Sequence, residues 1–116
     1  MILNNIQTKL KDLDKNVFYG MVDNSMQETL WNYIVFNRTS MKVNANKTGY
    51  SDLFTVHIIR EDWIPEGFEI EVINKMLEID GMRLAGNDSV YTYVQKPNTN
   101  IVVEKLSIDF VKAKKA

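Results

Sequence analysis

Two apolar periodicities coexist in this chain, and together they fix its class. Phe68, Val72, Met76 and Ile79 recur at three- and four-residue spacing, the stripe of a helix with one buried side, with Ile73 and Leu77 beside it. Tyr50 to Glu61 (YSDLFTVHIIRE) alternates instead with period two. Phe54, Val56 and Ile58 share one face of that strand; Leu53, Thr55, His57 and Ile59 share the other. Ile2, Leu3, Ile6, Leu10 and Leu13 form a second helical stripe, placing a first helix over Ile2 to about Leu13.

Other runs are strand-like. Val17-Phe18-Tyr19 is a short extended piece before a turn at Gly20 and Asp23-Asn24-Ser25, and Met26 to Thr29 suits one helical turn. Leu30 to Asn37 (LWNYIVFN) is β-branched and aromatic on both faces. Met82 to Leu84 is a short extended segment. Val90 to Lys96 (VYTYVQK), a turn at Pro97 to Asn100, and Ile101 to Val111 make a closing hairpin, with Val102, Leu106, Ile108 and Phe110 on one face. Arg38 to Gly49 (RTSMKVNANKTG) is polar and reads as a long hairpin loop or a ragged β-arm. The second helix starts within Asp62 to Gly67, with Pro65 in its first turn, Glu66, Glu69 and Glu71 at the positive end of its dipole, and Gly81 closing it in the left-handed region. Lys112 to Ala116 is expected to be a short frayed basic tail.

Hairpin-length connections predict a largely antiparallel sheet of four to five strands. Two amphipathic helices suffice to cover one face of it, an α+β two-layer sandwich in a single domain spanning 1–116. The opposite face is left without helix cover, and Trp31, Tyr33, Tyr91 and Tyr93 are expected on it.

Composition narrows the chemistry. The chain has no cysteine, so disulfides, thiol nucleophiles and thiolate metal sites are excluded. A formal net charge of −1 gives no global attraction to nucleic acid or anionic lipid. Met1 to Leu13 carries scattered lysines and no unbroken apolar core, unlike a signal peptide, and no apolar run approaches a membrane span. His57 is the lone histidine, and nothing beside it in sequence is a nucleophile or carboxylate. Asp12 and Asp14, like Glu61 and Asp62, sit at element ends where capping explains them. Glu78, Asp80, Gly81 and Asp88 lack the spacing of a calcium loop, and Asn46-Lys47-Thr48-Gly49 lacks the glycines of a phosphate loop. Asn37-Arg38-Thr39 and Asn46-Lys47-Thr48 match glycosylation acceptors only as short patterns. The expectation is no catalytic residue, no metal, no cofactor and no enzyme activity.

The candidate interface is the acid-free stretch with Arg38, Lys42 and Lys47, together with Tyr50 and with Trp63 before the second helix. The basic residues suit a solvated loop or an arm for an acidic partner. Trp63 is either a hydrophobic staple, a role Ile64 fills equally well, or an interface anchor.

The order of segments carries a resemblance. A first amphipathic helix precedes LWNYIVFN and a polar loop; then come YSDLFTVHIIRED, IPEGFEIEVINKMLEIDGMRL, a tyrosine-bearing strand and VVEKLSIDFV. This layout resembles the tail terminator, or tail-completion, proteins of long-tailed bacteriophages and prophages, also described as head–tail joining or minor capsid proteins. The resemblance spans nearly the whole chain and centres on Tyr50 to Leu84. It implies a virion structural protein that forms a homo-oligomeric ring, typically a hexamer, with the tail tube protein and the head connector or stopper as partners. It implies assembly in the host cytoplasm and residence at the head–tail junction, with Thr39 to Tyr50 as the reaching loop. The alternative is a small intracellular protein-binding or inhibitor module acting as a monomer through Trp63 or the basic loop.

Overall fold

The structure, a computed structural model, describes residues 1–21, 31–43 and 49–115. Among these residues the order is α1 (Ile2–Lys11), β1 (Val17–Tyr19), β2 (Tyr33–Val43), β3 (Gly49–Glu61), α2 (Phe68–Leu77), β4 (Met82–Leu84), β5 (Val90–Gln95) and β6 (Val102–Lys115). The six strands form one sheet in the order β1-β2-β3-β6-β4, with β5 also paired to β6. β4 and β5 share one edge of β6 end to end, opposite Phe110 to Lys112 and Val102 to Ser107 respectively. The α+β class is as expected, but the sheet is mixed. β1 runs parallel to β2, with Val17 opposite Ile34. A three-residue strand carries no sign of its partner's direction, and a parallel partner needs a long connection, here residues 20–32. The expected turn of helix over Met26 to Thr29 lies outside the described residues.

One face of the sheet holds the core. Ile34 and Phe36 of β2, Phe54, Val56 and Ile58 of β3, and Leu106, Ile108 and Phe110 of β6 are all buried and pair across the strands in register. Ile6 and Leu10 of α1 and Val72 and Met76 of α2 close over them, with Ile64, Ile79 and Met82 at the margin. Each fully buried side chain of this size contributes roughly 1.5–3 kcal/mol.

The helix ends depart from expectation. α1 stops at Lys11, and Asp14 accepts the Asn16 amide at 2.9 Å to turn the chain toward β1. α2 begins at Phe68, so Pro65 lies outside it. Gly67, at φ 90°, redirects the backbone there, and the Phe68 amide reaches back to the Pro65 carbonyl at 3.0 Å. Positive φ is cheap only for glycine. Leu77 is exposed, while Val72, Met76 and Ile79 are buried. The helix ends before Gly81, which instead turns the chain into β4 at φ 80°.

The segment after Val111 is strand, not tail: β6 pairs with β3 as far as Lys115 opposite Gly49. The polar stretch after Arg38 is likewise mostly strand. Arg38 to Val43 pair with Tyr50 to Phe54 across a bulge at Thr39, forming an arm beyond the helix-covered core. The arm extends because each of its strands finds a neighbour's backbone, a non-local gain invisible in a polar sequence.

Candidate interaction surfaces

The expected interface residues fall into two separate places. Arg38, Lys42 and Tyr50 lie on the arm; Lys47 lies outside the described residues. Trp63 follows the opposite end of β3, whose last residue, Glu61, is eleven positions from Tyr50, roughly 36 Å at the usual strand rise. Trp63 is 70% exposed, whereas Ile64 is buried and donates its amide to Glu104 Oε1 at 2.7 Å. Ile64 therefore plugs the entrance to α2, and Trp63 stands free of the core. Arg38 is exposed, and its Nε donates to the Tyr19 hydroxyl at 3.1 Å, which ties the base of the arm to β1.

The face on which no described helix lies is more polar than expected, although Val35, Ile59 and Val103 are buried on it. Tyr33 lies on it, but Tyr91 and Tyr93 do not. They stand opposite Leu106 and Glu104 and so share the helix side. The pairing of β5 with β6 decides this, and a one-residue difference in register exchanges the faces. The open face carries a polar spine across β2, β3 and β6. Asn37 Oδ1 lies 3.2 Å from His57 Nε2, and His57 Nδ1 lies 2.8 Å from Ser107 Oγ. A neutral ring that donates from Nε2 to Asn37 and accepts the Ser107 hydroxyl at Nδ1 satisfies both contacts. Burial, and then the Lys105 cation, holds His57 below its usual pKa against the opposing pull of Asp109. Alongside, Thr39 and Thr55 share a hydroxyl contact, Thr55 Oγ1 donates to Asp109 Oδ1 at 2.6 Å, and Asn87 Nδ2 donates to Asp109 Oδ2 at 2.6 Å.

Ser107 beside His57 is the pair that sequence reading missed, because fifty positions separate them. A hydroxyl and a base at hydrogen-bond distance are two parts of an acyl-transfer site. The third part is a set of donors for the developing oxyanion. Ser107 sits where β6 is paired on both sides, to β3 at His57 and to β5 at Val90, so the backbone amides around it belong to the sheet ladder. A hollow next to the pair, about 210 Å³, is lined by Gly20, Met21, Tyr33, Val35, His57, Ile59 and Lys105. Among the described residues no three His, Asp or Glu side chains gather as metal ligands, and no helix is long and apolar enough to cross a membrane.

The second feature that escaped the sequence is the free edge of β5, a strand the sequence did place. Among the described residues it pairs only with β6, and all six of its residues are exposed, Val90, Tyr91, Tyr93 and Val94 by 48–61%. Its free edge has no charge, no proline and no covering element among the described residues, the condition under which a strand edge recruits another strand. The readable signal was VYTYVQ itself, six strand-forming residues without a charge to guard them.

No protein-family model matches the chain, and no curated protein matches it.

Proposed function

We propose that this protein is a structural subunit of a bacteriophage or prophage virion, a tail terminator or close head–tail joining relative. It would assemble as a ring at the head-proximal end of the tail tube, stop tube growth and present a surface to the head connector. The observation that carries this reading is the arm formed by Arg38–Val43 and Gly49–Leu53. It extends the sheet beyond the core and carries exposed Arg38, Lys42, Met41 and Val43. An exposed, basic projection, in which Arg38–Val43 and Val111–Lys115 flank Gly49–Leu53 and which contributes little to the core, suits contact with another component. A sheet whose described helices all lie on one face, with a β5 edge that meets no strand among the described residues, supports the same reading, since monomeric proteins usually guard such edges. In this role the protein runs no reaction, and the His57–Ser107 pair is part of the polar spine.

Deleting the gene from the phage or prophage that encodes the protein tests the proposal. Electron microscopy of the lysate should show heads separate from tails, or tails of irregular length, with restoration by the wild-type gene in trans. Joined particles with tails of normal length would overturn it.

A further inference from the structure

We infer that copies of this protein join head to tail by strand pairing, the arm segment Arg38–Val43 of one copy adding to β5 of the next. This deepens the ring reading above and rests on it for the closure of the assembly, but the pairing itself stands on four features of the sheet.

The first is that both edges are of equal length and meet no further strand among the described residues. β1 covers β2 only along Ile34 to Phe36, so the outer edge from Arg38 to Val43 meets no strand among the described residues. β5 offers six residues at the opposite side of the sheet. The second is direction. β2 to β3, β3 to β6 and β6 to β5 are each antiparallel, so β5 runs opposite to β2, and a sheet continued into the next copy pairs them antiparallel.

The third is the match of the faces. Met41 and Val43 point to the helix side of the sheet, where they are 64% and 55% exposed; Tyr91 and Tyr93 point to the same side of β5, 48% and 61% exposed. A continuous sheet sets these four side chains against one another, and cross-strand aromatic–aliphatic pairs are favourable. On the other side Ser40 and Lys42 meet Thr92 and Val94.

The fourth is charge. Residues 38–51 hold three basic residues and no acid, and Asp52 enters only at the base of the arm. Residues 61–95, which include α2 and β5, hold eight acids and two basic residues. Glu69 lies near enough to influence Tyr91, and Glu104 hydrogen-bonds Tyr93, so the acids crowd the helix side of β5, the side from which Arg38 projects. A basic edge at one end and an acidic edge at the other favour heterologous contact and oppose edge-to-like-edge dimers.

The pairing has a geometric consequence. Thr92 is level with Lys105, Ile59 and Tyr33 across the sheet, whereas the middle of the free arm lies at Ser40 to Met41. With Lys42, level with Ser51, set opposite Thr92, successive copies are displaced along the strands by about eight residues, roughly 26 Å. Four strand spacings separate equivalent strands, roughly 19 Å. Strands steeply inclined to the assembly axis, as in closed barrels, absorb such a stagger.

The absence of cysteine makes the test clean. Lys42→Cys and Thr92→Cys are introduced on separate chains, mixed and oxidised. The mixed disulfide should exceed either homodimer at least tenfold, and a chain carrying both changes should give a ladder of multimers. Within one chain the two positions lie too far apart to join, roughly 30 Å by strand rise and spacing. A second pair of variants checks the charges. Arg38→Glu, and Glu66→Lys with Glu69→Lys, should each stay monomeric in sedimentation and should co-assemble when mixed. A dominant Thr92→Cys homodimer, no cross-link, or charge variants that assemble alone would overturn the inference. Cross-linking alongside a normal result in the gene-deletion experiment would overturn the tail reading and leave the strand pairing standing.

Discussion

The Arg60–Asp14 pair ties three parts of the molecule together, and breaking it should be costly. Arg60 lies on the helix side of β3. Its guanidinium meets Asp14 Oδ2 at 2.7 Å, donates to the Tyr33 and Ile59 carbonyls at 3.3 and 2.8 Å, and stacks 4.6 Å over the Phe68 ring. The side chains are only 13% and 10% exposed. Removing one partner of a buried pair costs about 3–5 kcal/mol, because a charge is stranded. In Arg60→Met the Asp14 carboxylate keeps the Asn16 amide on its other oxygen, which argues for the low end, about 3 kcal/mol. At about 4 °C per kcal/mol for a chain of this size, the melting temperature should fall by roughly 12 °C. Asp14→Asn in the same chain removes the stranded charge and keeps an acceptor for Asn16. The double variant should therefore recover at least about 1 kcal/mol relative to Arg60→Met alone, a coupling that urea denaturation resolves. Single variants that each cost under about 0.5 kcal/mol and simply add would show that the pair behaves as a surface ion pair and that the burial reasoning is wrong.

Three further outcomes follow from the same structure. Val72→Asp, at a position with no exposure, places an unpaired carboxylate in the core and should unfold the protein, and near-wild-type melting would show that α2 does not pack as described. His57 has a folded-state pKa below its usual 6.5, so the native state binds fewer protons than the unfolded one; stability should hold above pH 6.5 and decline as pH falls below it, and His57→Gln should flatten that slope in denaturation curves taken at successive pH values. Replacing Arg38, Lys42 and Lys47 with serine should leave the melting temperature within the shift expected of about 0.5 kcal/mol, while particle completion in trans is lost; loss of folding, or normal completion, would count against the role of the arm.

What the sequence revealed and what it hid divide along one physical line. The stripe of Val72, Met76 and Ile79 and the alternation through Phe54, Val56 and Ile58 were legible because burial there follows local periodicity. The face of Tyr91 and Tyr93 was not, since it is set by which residue of β6 stands opposite. Lys112 to Lys115 looked like a tail because their strand character comes from β3, fifty and more positions away. β1 gave no hint of its parallel partner for the same reason. Pro65 suits the first turn of a helix, but Gly67 at positive φ moved the start past it. In the interaction surfaces, the basic residues of the arm were visible as composition, whereas the bare edge of β5 exists only once the strand order is known.

The proposed tail role is decided by cryo-electron microscopy of phage particles released from cells that carry the gene. The expected result is a closed ring of copies between the last tail-tube layer and the head connector, with the arm of each copy laid along β5 of its neighbour. Particles whose head–tail junction contains no copy of the chain would contradict it.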